Sequence, residues 1–467
     1  MNRDQNRWLN RAADAADGAQ AKGQQHLRHL LHVMARDQEP ARTPWIRATT
    51  LGAGTGLVAG MTLTAVASAV AGYFARVVVT PVKERVEDLE VLAVVRGRDG
   101  DEVILPATPE TVVDGVYGLY FDGGRSFARI GRITSFTPSD GTLARRVESV
   151  RSGELRSALR GWWSSVAHLT PQEAGFDAED VVLDLPGGRA PAWFVPANNP
   201  DGPLAGKRIW GIMVHGRGGL RTEGIKALPA AAELGIDSLL IAYRNDGEAP
   251  PAADGKYGLG ITEWRDVEVA IRYALDHGAK EVVLFGWSMG GAICLQAADR
   301  SPLSARVRGL VLTGPVIDWI NVLASQAKAL KIPETVGRLT RWLISNKAGR
   351  RVTGLAAPVD LKVLNWIDRA DQLHVRTLIL HSIDDPLVPY GPSRDLAQKN
   401  SMVTFVPFNQ ARHVKEWNHN PHRWESNVKQ WLVELFTQPE PGQRPLGDEP
   451  PEGESLEDEP QPSPPAD

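Results

Sequence analysis

The sequence predicts an α/β fold over residues 178–437, with a mostly parallel eight-stranded sheet that carries helices on both faces. Short apolar runs bounded by turn residues are expected to be strands, and from the third run onward they alternate with helix-like segments. Continuous apolar strands that alternate with helices are typical of a parallel sheet covered on both sides. The runs lie at 180–184, 191–195, 208–214, 237–242, 281–286, 308–313, 376–381 and 403–408.

Composition places the chain among ordinary globular proteins and excludes several functions. It has 467 residues, of which 42% are hydrophobic and 23% charged, so there is room for a large core and more than one domain. A net charge of -4 gives no basic field that would favour nucleic acid. No zinc-type spacing of cysteine and histidine and no phosphate-binding loop is seen in the sequence. The single cysteine, Cys294, excludes an intrachain disulfide framework and is predicted to pack in the core.

An uncharged segment, Leu51–Phe74, predicts a transmembrane helix within residues 48–75, after a polar leader at 1–47. Its length suits a single membrane crossing, and we therefore expect attachment to the cell membrane through residues 51–74. A buried helix or helical hairpin of a soluble protein is the alternative. The arginines on either side do not fix the orientation. The leader lacks an export signal, which favours an N-terminus inside the cell. A single membrane crossing would then place the catalytic domain on the extracytoplasmic side.

The remaining regions outside the predicted sheet differ in composition. Residues 76–177 contain short strand-like runs with turn signals and predict a β-rich accessory region whose role the pattern does not give. Residues 315–370, an insertion between the sixth and seventh strands, contain two amphipathic helical segments. Residues 438–467 are acidic and proline-rich, and predict a disordered tail because so few apolar residues cannot offset the entropy of ordering.

The stretch "GWSMGG" places Ser288 between a predicted strand and a predicted helix. A serine in such a sharp turn is lifted clear of the sheet and lies at the positive end of the helix. Bulky neighbours would clash there, which explains the flanking glycines. Ser288 is therefore the candidate nucleophile, and a structural serine in a tight turn is the alternative.

A serine nucleophile needs a base and a carboxylate that orients the base. His413, in the loop after the last predicted strand, is the preferred base, and His419 and His422 are the competing histidines. Asp385, in "HSIDDPLVP", is the preferred acid. Its neighbour Asp384 and the more distant Asp318 are the alternatives.

The developing oxyanion requires hydrogen-bond donors. One is expected to be the backbone N–H of Met289, and the other that of Arg217 in "HGRGG", with Gly216 as the alternative. The Arg217 side chain is interpreted as solvated rather than bound to an anionic substrate. Trp287, His215 and Trp319 are the residues expected to border the substrate, although core packing explains Trp319, Trp342 and Trp366 equally well. His215 is expected to orient its own loop by hydrogen bonding.

The motifs "HGRGG", "GWSMGG", "HSIDDPLVP" and "ARHVKEWNHNP" together resemble the α/β-hydrolase superfamily, specifically its serine esterase and prolyl-oligopeptidase-like branches. The chain order Ser288, Asp385, His413 is the one that the superfamily uses. The resemblance implies no metal and no organic cofactor, and a cap role for residues 315–370. Together with the uncharged segment, the resemblance predicts a membrane-tethered serine hydrolase that cleaves a carboxylic ester of a small-molecule acyl substrate. A peptidase or acyltransferase with the same triad is the alternative, as is a non-catalytic binding module. The oligomeric state is not predicted.

Overall fold

The structure, a computed structural model, describes residues 67–82 and 85–437. In this part of the chain a helix precedes the first of two β-sheets. Helix α1 includes residues 67–79. The strands of this sheet are β1 (Leu89–Glu90), β2 (Ala93–Gly97), β3 (Gly100–Pro106), β4 (Tyr117–Phe121), β5 (Ser126–Thr137), β6 (Thr142–Ser152) and β7 (Arg160–Ser164). They form an antiparallel seven-stranded sheet in the order β1-β7-β4-β5-β6-β3-β2. This sheet accounts for the strand signals predicted in residues 76–177.

The second sheet has eight strands and contains all eight runs that the sequence predicts as strands. They are β8 (Glu179–Leu185), β9 (Gly188–Val195), β10 (Ile209–Val214), β11 (Asp237–Ile241), β12 (Glu281–Trp287), β13 (Val307–Thr313), β14 (Arg376–Ser382) and β15 (Val403–Phe408). Their order is β15-β14-β13-β12-β10-β11-β9-β8. The strands from β10 to β15 are parallel, whereas β8 and β9 join the edge as an antiparallel hairpin. The sheet is thus mixed at one edge and parallel elsewhere.

Helices cover both faces of this second sheet. Alternate residues of each strand point to opposite faces, and apolar residues on both faces pack against helices. On one face, Ile212, Leu284 and Leu310 pack with α1 and with the helices at Trp264–Asp276 and Met289–Arg300. On the other face, Met213 and Phe285 pack with the helices at Leu228–Leu234 and Pro421–Thr437. The helices after α1 are α2 (Leu228–Leu234), α3 (Trp264–Asp276), α4 (Met289–Arg300), α5 (Trp319–Ala329), α6 (Glu334–Ser345), α7 (Arg350–Thr353), α8 (Gly391–Lys399), α9 (Glu416–His419) and α10 (Pro421–Thr437). Each large apolar side chain fully buried here contributes about 1.5 to 3 kcal/mol.

The predicted amphipathic segments within 315–370 are confirmed as helices α5 and α6. Their buried residues, among them Trp319, Val322 and Ile344, join the same core as α1 and α4. Whether these helices cap a substrate pocket stays a prediction. The predicted acidic tail at 438–467 lies outside the described residues.

Only the end of the predicted membrane segment falls within the described residues, because 1–66 lie outside them. Residues 67–74 belong to α1, where Ala71 is fully buried in the core of the second sheet and Tyr73 is 60% exposed. The hydroxyl of Thr340 in α6 donates to the carbonyl of Ala71. No helix within 67–82 and 85–437 has the length and apolar character to cross a membrane. The contacts of Ala71 show that the described part of the segment packs on the second sheet.

Candidate active site

Ser288 lies between β12 and α4, at the carboxyl end of a central strand of the sheet. Its backbone has φ 53° and ψ -116°, a conformation that L-residues rarely adopt and that costs about 1 to 3 kcal/mol. The flanking glycines permit this turn. A methyl group on Gly286 would lie 2.7 Å from the backbone nitrogen of Gly291, and one on Gly290 would overlap the carbonyl oxygen of Val214. The glycines therefore allow α4 to pass close to β10 and β12.

The structure brings Ser288, His413 and Asp385 together, although they are far apart in sequence. The His413 Nε2 lies 3.0 Å from the Ser288 hydroxyl, and its Nδ1 lies 2.6 Å from Oδ2 of Asp385. The other carboxylate oxygen of Asp385 accepts the backbone N–H groups of Leu387 and Val388 at 2.8 and 2.9 Å. This oxygen is thereby fixed, and the carboxylate is aimed at the imidazole.

Electrostatics at this cluster favour a charged carboxylate and a basic imidazole. Burial alone would raise the pKa of Asp385, but His413 and the hydrogen bond from His381 hold it well below its usual range. Burial alone would lower the pKa of His413, but the negative charge of Asp385 raises it above its ordinary value. The imidazole can therefore accept a proton from Ser288 and be stabilised as imidazolium by Asp385.

The competing acids and histidines hold other positions. Asp384 accepts the backbone N–H of Gln410 at 2.7 Å, and Asp318 caps α5 by accepting the N–H of Ile320 at 2.8 Å. The His419 Nδ1 lies 3.1 Å from the carbonyl of Asp114, and His422 is exposed at the start of α10. Of the candidates, the geometry joins only Asp385 and His413 to Ser288.

Two backbone N–H groups lie beside Ser288 without a partner among the described residues, those of Arg217 and Met289. Met289 is the first residue of α4, where the N–H has no acceptor within the helix. The N–H of Gly216, the alternative donor, is occupied because it donates to the carboxylate of Glu223 at 2.9 Å. Arg217 and Met289 are thus the N–H groups left open for an oxyanion.

His215 is buried and orders the loop that carries Arg217. Its Nε2 lies 3.1 Å from Oδ2 of Asp246, its Nδ1 lies 2.9 Å from the carbonyl of Gly216, and its ring stacks on Tyr243. The Tyr243 hydroxyl donates to the carbonyls of His215 and Gly216. These contacts agree with the predicted orienting role; contact of His215 with a substrate stays a prediction.

The tryptophans predicted to border the substrate are buried in the two cores of the second sheet. Trp287 is 1% exposed, and Trp319 is 6% exposed and donates its indole N–H to the carbonyl of Leu259 at 2.9 Å. Trp366 is 1% exposed, whereas Trp342 is 48% exposed. Burial at this level favours the core-packing interpretation of Trp287, Trp319 and Trp366. Cys294 is also fully buried, as predicted.

The Arg217 side chain differs from its predicted solvated state. Its guanidinium donates to three carbonyl oxygens at the end of α1, those of Val77, Val78 and Thr80, at 2.6, 3.1 and 2.9 Å. Carbonyls at a helix C-terminus lack partners within the helix and carry partial negative charge, so a cation there is favourable. One residue thus combines an open backbone N–H beside Ser288 with a side chain that holds α1.

Arg217→Met is expected to lower the free energy of unfolding by about 1 to 3 kcal/mol, because it removes charge-assisted hydrogen bonds from helix carbonyls. The loss should appear as faster amide exchange in residues 70–80, measured by hydrogen exchange with mass spectrometry. Arg76→Met is the control, since Arg76 donates only a long 3.4 Å bond to the carbonyl of Val352. Equal exchange in the two variants would contradict the role of Arg217.

Several charged residues around the site were missed by sequence reasoning. Glu223 is buried against Lys226 at 3.6 Å, and the Lys226 ammonium donates to the carbonyl of Val414 at 2.9 Å. Glu416 accepts the N–H of Ser382, and burial raises its pKa to about 7. No motif marks these residues. In the described part of the chain, no group of histidine, cysteine and acidic residues could hold a metal ion.

The fold and the strand-end positions of Ser288, Asp385 and His413 define an α/β hydrolase. A family model described as "Alpha/beta hydrolase family" matches residues 212–452, more than half of the chain, and the chain belongs to that family. A second family model, described as a domain of unknown function (DUF8805), matches residues 90–164, which carry most of the seven-stranded sheet. No curated protein matches the chain.

Solved structures similar to this chain include hydrolases from several organisms. The esterase Pf2001 of Pyrococcus furiosus is 16% identical, with a TM-score of 0.43, over 57% of this chain and 94% of its own. Est1E of Butyrivibrio proteoclasticus is 15% identical, with a TM-score of 0.41, over 56% of this chain and 99% of its own. An alpha-beta hydrolase of Vibrio vulnificus is 17% identical, with a TM-score of 0.41, over 57% of this chain and 83% of its own.

Proposed function

We propose that the protein is a serine esterase that cleaves a carboxylic ester through an acyl-enzyme on Ser288. The observation that carries the proposal is the continuous relay from Asp385 through His413 to the Ser288 hydroxyl, with bonds of 2.6 and 3.0 Å. A serine is a weak nucleophile until a base takes its proton, and this geometry supplies the base and its orienting acid.

In the first half of the reaction, the Ser288 oxygen attacks the ester carbonyl carbon while His413 takes the hydroxyl proton. The N–H groups of Arg217 and Met289 donate to the oxyanion, and each such donor contributes about 2.7 to 4 kcal/mol to the transition state. Collapse of the tetrahedral intermediate expels the alcohol, which takes the proton from His413. Water activated by His413 then releases the acid from Ser288.

The test is covalent labelling of the full-length protein with a fluorophosphonate probe, followed by mass-spectrometric mapping of the adduct. We expect a single adduct on Ser288 and hydrolysis of p-nitrophenyl esters, measured over a series of acyl chain lengths. Peptide p-nitroanilides in the same assay distinguish the peptidase alternative, and added alcohols that divert the acyl group reveal an acyltransferase. A folded protein without an adduct would contradict the proposal.

The pH dependence of the reaction follows from the imidazole, which acts as a base only when it is neutral. Because the pKa of His413 is raised, kcat/KM for ester hydrolysis should be full above that raised pKa and fall as the pH drops through it. The acid limb should therefore lie above the ordinary histidine pKa. Measurement of kcat/KM from pH 5 to 9 would contradict this if the limb lay below it.

Membrane attachment through the part of segment 51–74 that precedes residue 67 is a further part of the proposal, and it rests on the absence of charge in that part. Carbonate extraction of membranes from cells that express the full chain tests it against a version that begins at residue 67. That boundary keeps α1, which packs on the catalytic sheet. Equal extraction of both versions would exclude attachment through the preceding residues.

A further inference from the structure

The loop that carries His413 has an unfavourable backbone. Within this histidine loop, residues 409–415, Gln410, Arg412 and Val414 have positive φ angles of 64°, 64° and 50°. Non-glycine residues rarely adopt this region, and each such residue persists only where its surroundings hold it. The position of His413 therefore depends on contacts that lie outside the loop itself.

One set of contacts comes from the catalytic sheet. Lys226 donates to the carbonyl of Val414 at 2.9 Å, and Asp384 accepts the backbone N–H of Gln410 at 2.7 Å. These two bonds hold the backbone of the histidine loop before and after His413. The Arg412 guanidinium also donates a long 3.4 Å bond to the carbonyl of Asp384, and the stronger contacts of the Arg412 and Lys415 side chains come from another part of the chain.

The other set comes from the seven-stranded sheet, through Glu110. One carboxylate oxygen of Glu110 accepts from the Arg412 Nε at 3.1 Å, and the other accepts from the Lys415 ammonium. Burial alone would raise the pKa of Glu110, but Lys415 and Arg412 lower it below its ordinary value, so it is a carboxylate at neutral pH. One acidic side chain thus ties together two cations that bracket His413 in sequence.

Glu110 stands on a loop that is itself firmly held. This docking loop, residues 107–116, joins β3 to β4 and surrounds the fully buried side chain of Arg145. The Arg145 guanidinium donates to the carbonyls of Thr111, Val113 and Gly115 at 2.8, 2.9 and 2.8 Å. Because these bonds fix the loop that follows Glu110, the carboxylate has a defined position.

The docking loop also abuts the segment that follows the histidine loop. Val116 donates its N–H to the carbonyl of Asn418 at 3.1 Å, and the Asn418 amide donates to the carbonyls of Val116 and Ser165 at 2.6 and 2.8 Å. A methyl group on Gly115 would overlap the carbonyl oxygen of Asn418. The docking loop is therefore bound to the catalytic part of the chain a few residues after Glu110 as well as at Glu110 itself.

We propose that Glu110 is a positioning residue for His413, so that the seven-stranded sheet, whose family has no known function, holds the catalytic base in place. The inference rests on the proposed function, because it assigns Glu110 a role only if His413 acts as the base. The side-chain bonds of Glu110 go to Arg412 and Lys415 and not to Ser288 or His413, so Glu110 acts through those two cations. This explains why a β-rich region precedes the hydrolase sheet in the same chain.

The test compares Glu110→Gln with the wild type as full-length proteins. We expect kcat for p-nitrophenyl acetate and the rate of fluorophosphonate labelling to fall about 10- to 100-fold with little change in KM, since a displaced base slows the chemical step. The acid limb of the pH profile should move to lower pH, because Arg412 and Lys415 would lie uncompensated near the imidazole. A merely structural contact would not produce that shift.

The matched control is Glu148→Gln, because Glu148 pairs with Arg129 at 2.8 Å in the same sheet and has a similar side-chain exposure, 34% against 32% for Glu110. It should leave kcat and the pH profile unchanged. Lys415→Met is the second variant: it should also slow labelling but move the acid limb to higher pH, because it removes a positive charge. If Glu110→Gln does not fold, Lys415→Met decides the question.

The outcomes separate this inference from the proposed function. A wild-type protein that takes no label on Ser288 would overturn both. A wild-type protein that is labelled, together with Glu110→Gln or Lys415→Met variants that keep its kcat and pH profile, would overturn the positioning role alone. Slower labelling with opposite shifts of the acid limb in the two variants would support it.

Discussion

Ser288→Ala is expected to reduce kcat for ester hydrolysis by about 10⁶-fold and to abolish the fluorophosphonate adduct. The substitution removes the oxygen that forms the acyl-enzyme, and loss of a serine nucleophile costs about as much as loss of a whole triad. The open N–H groups of Arg217 and Met289 would remain, so a small residual rate above the uncatalysed reaction should persist. Initial rates with a chromogenic ester at high enzyme concentration measure both quantities.

Ser288→Gly provides the matched comparison. It should be equally inactive, but it should raise the free energy of unfolding by about 1 kcal/mol relative to Ser288→Ala, because glycine relieves the backbone strain at φ 53° that alanine retains. Chemical denaturation of the two variants measures the difference. Persistent labelling in either variant would show that another residue is the nucleophile.

Asp385→Asn is expected to lower kcat by about 10⁴-fold while the protein remains folded. The amide could still accept the N–H groups of Leu387 and Val388, but its NH₂ would face the His413 Nδ1 and favour the wrong tautomer. The imidazolium formed during the reaction would also lose its stabilising charge. Stopped-flow and steady-state kinetics with activated esters measure the loss.

Asp384→Asn is the control for the same peptide segment, because its amide oxygen can still accept the backbone N–H of Gln410 and because Asp384 does not contact His413. Its kcat should stay within a few-fold of the wild type. A larger loss in Asp384→Asn than in Asp385→Asn would mean that the acid of the relay had been assigned to the wrong neighbour.

The strands of the hydrolase sheet and the residues of the relay could be predicted from local sequence. Each strand is a continuous apolar run ended by turn residues, and this signal depends on neighbours only a few positions away. Ser288, Asp385 and His413 follow strands whose carboxyl ends must meet at one edge of a parallel sheet. The strand topology alone therefore predicts that these three residues lie close together.

The contacts that hold the site could not be predicted in this way. Glu110 and Arg412 are 302 residues apart, and Arg217 lies 137 to 140 residues from the carbonyls that it binds. Their partners are set by how two sheets and a helix pack, and no periodicity records such packing. The hairpin of β8 and β9 was likewise predicted as strands, but its antiparallel direction depends on the short turn between them.

The hydrogen bonds between Arg217 and α1 give the N-terminal part of the chain a mechanical connection to the chemistry. The residue whose N–H we propose as an oxyanion donor also binds the last turn of α1 through its guanidinium. A displacement of the last turn of α1 would therefore also displace Arg217 and the loop that carries it.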